Sequence, residues 1–262
     1  MVSPEILSVG CLQLRWYGVC VSLGVIVGYW LMCARAKKYD LNASQCADLI
    51  FVGMIFGLIG ARAEYVRREW VSLFRDDLLG IFRIWEGGIS FQGGLILAAI
   101  AICIMCHIRN WKIVDVADLM TPALAAGHAF GRIGCLLNGC CYGNEYHGIF
   151  AVQYDFLREP VFPVQAVEAL FCLLILAVLL YVEYREKAGG RLFPIYLIVY
   201  SVGRFFIEYL RGDYLMASDV ALTPAQSLFL YVGLPCGVVS YILAEIWQWR
   251  KNGTKKTKSQ RR

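Results

Sequence analysis

Charge is scarce in this chain of 262 residues: Asp, Glu, Lys and Arg together make up 17% of it, against 59% hydrophobic residues. That balance excludes a soluble globular domain and describes an integral membrane protein. Basic residues are absent from positions 1–14, and the first cluster, Arg35, Lys37 and Lys38, comes only after the first apolar run. A cleaved secretory signal is thereby excluded in favour of an uncleaved first span. Lysine is missing from whole regions: all eight fall at 37, 38, 112, 187 and from 251 onward. The eleven cysteines show no standard zinc-ligand spacing, so no metal is expected.

Seven segments are long enough to cross a hydrocarbon layer of about 30 Å; they run over 16–34, 47–66, 87–106, 119–141, 164–182, 192–210 and 225–247. They predict an all-α, polytopic membrane bundle of about seven transmembrane helices. Basic clusters follow the first, third, fifth and seventh segments, which puts the N-terminus outside and the C-terminus in the cytoplasm. Residues 1–250 form a single membrane domain. The remainder, 251–262, reads as a disordered basic tail near anionic lipid, not as an arm for nucleic acid.

Every basic residue within the spans or on the outer side is an arginine: Arg15, Arg62, Arg67, Arg68, Arg75, Arg83, Arg132, Arg158, Arg204 and Arg211. Arginine keeps its charge and forks onto phosphate or carboxylate, as a lipid-phosphate site near the outer face requires. After the second span, Trp70, Phe74, Leu78, Ile81, Phe82 and Trp85 recur at helical spacing, mostly with Arg67, Arg68, Arg75, Asp76 and Asp77 between them. This predicts an amphipathic helix on the outer surface. Residues 142–163 are more polar and predict a small outward-facing head. In the third span, Gly87, Gly88, Gly93 and Gly94 bracket Ser90 and Gln92; the glycines allow close helix contact, while Gln92 needs hydrogen-bond partners.

The densest polar chemistry lies over residues 128–143, H-A-F-G-R-I-G-C-L-L-N-G-C-C-Y-G. A bare guanidinium at Arg132 in hydrocarbon costs at least ~2.5 kcal/mol, so it either snorkels to the interface or holds an anion or a partner inside the protein. Gly131, Gly134, Gly139 and Gly143 leave the backbone open to close approach, and Asn138 adds an amide. The sixth span carries G-R-F-F-I-E-Y-L-R. On a helix Arg204, Glu208 and Arg211, at i, i+4 and i+7, share one face. Surplus positive charge from Arg132 and Arg211 calls for an anionic ligand. Most cysteines sit in apolar spans as small hydrophobes; Cys135, Cys140 and Cys141 lie inside the polar stretch, where packing is the favoured role and a redox or disulfide role, or covalent acceptance of a lipid group, the others.

Taken together, R-W-Y-G at 15–18, G-A-R at 60–62, G-G-I-S-F-Q-G-G-L at 87–95, G-R-I-G at 131–134 with Asn138 and Gly143, P-V-Q-A-V-E at 163–168 and the motif at 203–211 resemble the bacterial prolipoprotein diacylglyceryl transferases. The resemblance implies transfer of a diacylglyceryl group from phosphatidylglycerol to the lipobox cysteine of an exported preprolipoprotein, at the bacterial cytoplasmic membrane, with no cofactor. It assigns catalytic roles to Tyr17, Arg132, Arg204 and Glu208. Arg62, Gln92, His128, Gly131, Gly134, Asn138, Gln165, Glu168 and Arg211 are expected around the substrates.

The chain departs from the family pattern at Gln92, where histidine is common, at Cys135 for asparagine, at Cys140 for glutamate and at Phe162 for a further histidine. Gln92 cannot accept and release a proton in the physiological pH range. His128, Glu168 or Glu208 then serves as base, or surrounding cations activate the thiol. Two other readings stand beside the transferase: a paralogue with a different acceptor, and a membrane protein that binds or translocates phospholipid without chemistry.

Overall fold

The computed structural model describes residues 5–9, 12–75, 77–185, 188–212 and 222–259. Asp76 and Lys187, placed above in the surface helix and in a basic cluster, lie outside these residues, as do 260–262 of the tail. Helix dominates, with one short addition, a hairpin of β1 (Glu5–Val9) and β2 (Leu12–Arg15). The helices are α1 (Trp16–Arg35), α2 (Ala43–Arg68), α3 (Phe91–Ile108), α4 (Ile113–Asn138), α5 (Val164–Arg185), α6 (Leu192–Ile207), α7 (Pro224–Leu228) and α8 (Leu234–Ser259).

Six helical stretches among the described residues are long and apolar enough to cross a membrane: Trp16–Tyr39, Ala43–Arg68, Phe91–Ile108, Val164–Arg185, Leu192–Leu210 and Pro224–Arg250. Large apolar side chains stand on their outsides, Ile26 62%, Trp30 66% and Phe51 66% exposed, a surface that only lipid makes favourable. The protein is a multi-pass membrane protein. α4 overlaps the expected fourth span, 119–141, but is not among these six. Its 26 residues give about 39 Å of helix, but Asp115, Asp118, His128 and Arg132 make it less apolar than the others.

Two compact units divide the chain, Met32–Val116 and the pair Met1–Leu31 with Ala117–Arg262. In Met32–Val116, α2 begins at a capping box in which the Asn42 side chain accepts from Gln45 N and the Gln45 side chain from Asn42 N. α3 packs antiparallel on α2 through glycine. A Cβ at Gly60 would overlap the Gly93 carbonyl and Leu97, and one at Gly94 would meet the Gly57 carbonyl. This matches the role expected of Gly93 and Gly94.

The expected surface helix over 70–85 is instead three short turns, Trp70–Phe74, Leu78–Phe82 and Ile84–Glu86. Asp77 interrupts it by accepting Gly80 N on its side chain, which starts a new turn. The second cause is Arg62, whose fork draws in the carbonyls of Gly80, Ile81, Arg83, Gly87 and Gly88, diverting them from a helical ladder. Gly87 and Gly88 then adopt φ of 90° and 76°, so α3 starts at Phe91 and not at 87.

In the other unit α1 runs antiparallel to α4, with Gly24 against Phe130 and Gly127, Gly28 against Ala123, and Gly134 against Tyr17 and Cys20. α6 is started from outside itself: the buried Asp118 carboxylate of α4 accepts Gly190 N at 2.5 Å and Leu192 N at 2.9 Å. Those N–H groups have no intrahelical acceptor, and a negative charge complements the helix dipole. α7 opens at Thr223 with a capping box to Gln226 and Pro224 in its first turn. A wide turn, Phe229–Gly233, joins it to α8. α8 runs to Ser259, through most of the tail expected to be disordered.

Candidate active site

Four positions of α6 and its continuation, Tyr196, Tyr200, Arg204 and Glu208, recur every fourth residue, so the helix stacks their side chains on one face. The face is buried against α4 and α5. Its centre is Glu168 of α5, 1% exposed. Glu168 Oε1 accepts the Tyr200 hydroxyl at 2.8 Å and lies 3.1 Å from an Arg132 terminal nitrogen and 3.7 Å from Arg204 Nε. Arg204 reaches Glu208 Oε2 at 2.5 Å, and Arg211 lies 3.9 Å from the same oxygen. Three guanidiniums on α4 and at the end of α6 are thus ordered by two carboxylates.

Each carboxylate has a neutral partner as well. Thr223 Oγ1 donates to Glu208 Oε1 at 3.0 Å while it accepts Gln226 N at 3.1 Å, so the cap of α7 also orients Glu208. His128 sits between two phenols, Nδ1 3.0 Å from the Tyr196 oxygen and Nε2 3.3 Å from the Tyr200 oxygen. The tautomer that satisfies all three groups carries its proton on Nε2. Tyr196 then donates to Nδ1, Nε2–H to Tyr200, and Tyr200 to Glu168.

Access separates the arginines. Arg204 is 4% exposed at its side chain and Glu208 3%, whereas Arg132 keeps 17% and Arg211 16%. Among the described residues, Arg204 Nη1 is buried without a hydrogen-bond partner, which costs on the order of 1–3 kcal/mol or more for a charged group. The expected ladder is present, with one change. α6 ends at Ile207, a tight turn covers Glu208–Leu210, and Arg211 follows on extended backbone.

The residues after α4 fold back over this network. Asn138 closes the helix, its side chain interacting with Cys140, and Gly139 at φ 70° and Cys141 at φ 62° reverse the chain. Gln165 Nε2 holds the Cys140 carbonyl at 2.7 Å. Tyr154 of the head donates to the Leu136 carbonyl at 2.8 Å; burial pushes its pKa up to about 12, so it stays a donor. The three thiols, remote from any zinc pattern in sequence, converge: the sulfurs of Cys135, Cys140 and Cys141 all lie within 4.8 Å of one another. All three are free, and Tyr17, Arg132 and Arg211 are within their electrostatic reach. Gly143 marks the junction of three segments, its N bonded to the Phe162 carbonyl while Gly212 N takes the Tyr142 carbonyl.

Of the residues expected around substrates, His128, Glu168 and Arg211 belong to the network with Arg132, Arg204 and Glu208. Tyr17, Gly134, Asn138 and Gln165 adjoin it. Beside Gly131 a Cβ would meet nothing within 4 Å. Gln92 and Arg62 belong to the separate unit Met32–Val116. Gln92 is exposed in the first turn of α3. Arg62 departs from the expected substrate contact: all five of its N–H donors are taken by backbone carbonyls, at 2.6 to 3.2 Å. The sequence reading missed Tyr196, Tyr200, Thr223 and Asp118; the four-residue repeat through Arg204 and Glu208 was the available signal for the two tyrosines.

Comparison with known proteins bears on this arrangement. The family model described as prolipoprotein diacylglyceryl transferase matches residues 4–243. The chain is similar to phosphatidylglycerol–prolipoprotein diacylglyceryl transferase 2 of Clostridium perfringens, 32% identical across 93% of this chain and 96% of that protein. It is also similar to the phosphatidylglycerol–prolipoprotein diacylglyceryl transferases of Finegoldia magna, 32% identical across 86% of this chain and 90% of the relative, and of Listeria monocytogenes, 31% across 92% and 90%.

Proposed function

The chain belongs to the prolipoprotein diacylglyceryl transferase family, and from that premise we propose that it moves a diacylglyceryl group from phosphatidylglycerol to the lipobox cysteine thiol of an exported preprolipoprotein, releasing glycerol 1-phosphate. The observation that carries the assignment of residues is the shared carboxylate. Glu168 Oε1 lies 3.1 Å from Arg132 and 3.7 Å from the buried Arg204. A guanidinium fixed on one edge and partly open on the other is a preformed holder for a phosphate. The transferred carbon leaves an oxygen on which negative charge builds, and charge already aimed there lowers the barrier without reorganisation. Arg132 and Arg211 grip the phosphate, Arg204 and Glu208 hold them in place, and the open side of Gly131 admits the lipid. Tyr17 and Asn138 border the acceptor. Arg62 fixes the loop over 80–88.

The site lies at the outer leaflet of the bacterial cytoplasmic membrane, with the N-terminus outside and the C-terminus in the cytoplasm, as the lysine distribution supports. The test is direct. Purified full-length protein, phosphatidylglycerol and a lipobox peptide should yield a peptide heavier by one diacylglyceryl group and an equal amount of glycerol phosphate. Phosphatidylglycerol recovered intact would leave only binding or translocation of the lipid.

A further inference from the structure

Thioether formation needs a thiolate, and a thiol in its ordinary state is mostly protonated near neutral pH. Gln92 has no group that can act as a base near neutral pH, and the one histidine of the network is engaged on both nitrogens by Tyr196 and Tyr200. Next to that network stand three free thiols with all sulfurs within 4.8 Å of one another. Around a tetrahedral zinc with bonds of about 2.3 Å, sulfurs sit about 3.8 Å apart. The three sulfurs thus lie within about an ångström of that spacing.

We propose, on the footing of the transferase reading above, that Cys135, Cys140 and Cys141 bind a zinc ion as three thiolates and that its fourth position takes the acceptor thiol. Three protein ligands with one open position is the arrangement of a catalytic zinc, and a thiol that coordinates zinc loses its proton outright. The backbone supports the set: Gly139 at φ 70° and Cys141 at φ 62° turn the chain, and Gln165 pins the Cys140 carbonyl. Three thiolates on one divalent zinc carry a charge of minus one, and the acceptor adds another. Arg132 and Arg211, both in electrostatic reach of Cys141, offset them.

The step balances. The acceptor thiol binds and gives its proton to solvent. Its sulfur then attacks the glyceryl carbon that bears the phosphate; a C–S bond forms, the C–O bond breaks, and the electron pair leaves on a phosphate oxygen held by arginine. The thioether so formed is neutral and a weaker ligand, so it departs and reopens the position.

Cobalt(II) serves as the probe for zinc, because cobalt thiolates absorb visibly and report their ligands. Full-length reduced protein, stripped by a chelator, should take up one cobalt per chain with thiolate charge-transfer bands. A lipobox peptide should shift those bands, and the same peptide with Ser for Cys should not. Zinc should raise the transfer rate at least tenfold over the stripped enzyme. Cys140→Ala should weaken cobalt uptake and abolish the peptide-induced shift. Equal transfer before and after stripping overturns the zinc site and leaves the transferase reading intact, as does cobalt bound without thiolate bands. Absence of transfer in every form, with the peptide-dependent cobalt spectrum retained, overturns the transferase reading while supporting a metal site that takes a thiol.

Discussion

Arg132 combines a fixed edge, 3.1 Å from Glu168, with an accessible one. A lysine there keeps the charge but offers a point donor in place of a planar fork, and its ammonium does not reach Glu168 and a phosphate together. Arg132→Lys is expected to lower kcat/KM for phosphatidylglycerol at least tenfold at unchanged protein level; near-native turnover would reduce Arg132 to a neutralising role. The sequence alone already pointed to Arg132, Arg204, Glu208 and Arg211, because charged groups in an apolar run stand out. It could not show that Glu168 is their common partner, since that carboxylate lies on another helix. Nor could spacing show the thiols meeting, because a left-handed residue at Cys141, unusual for a side chain with Cβ, is invisible until the turn is built.

Elements are positioned here by single groups at their ends. Asp118 caps α6 from α4, and α6 carries half of the network. Asp118→Ala removes the acceptor of Gly190 N and Leu192 N and should cost about 1–3 kcal/mol. Thermal unfolding in detergent should reveal that loss, together with reduced transfer; an unchanged midpoint would mean that the start of α6 is held by its packing. Gly143 is the corresponding point on the other side. A Cβ there would overlap the Phe162 and Leu210 carbonyls and Val164. Gly143→Ala should part the exits of α4 and α6, lowering stability by about 1–3 kcal/mol and activity with it, whereas Gly131→Ala, in open space, should leave the protein's stability unchanged. The helices themselves were legible as apolar runs. The break at 70–86 was not, because its periodicity is helical and the interruption comes from Asp77 and from Arg62, a residue of the preceding helix.

At the scale of the whole molecule, the proposed orientation rests on the segregation of lysine from arginine. A cysteine introduced at Asn144 in a variant lacking the other exposed thiols should react with an impermeant reagent on intact cells, and a reporter after Arg262 should be cytoplasmic. Labelling only after lysis would reverse the topology and the leaflet. Each turnover also divides its material between two phases, since the lipidated protein stays in the bilayer and glycerol phosphate leaves for water. In the proposed site Arg132 and Arg211, the partly open pair, would meet both the arriving and the departing phosphate. The diester arrives with one negative charge, while the monoester carries about 1.5 to 2 near neutral pH, so the same forks hold the spent fragment harder than the fresh lipid. Added glycerol phosphate should therefore slow the enzyme in competition with phosphatidylglycerol, and raising the pH through the second phosphate ionisation should strengthen that inhibition.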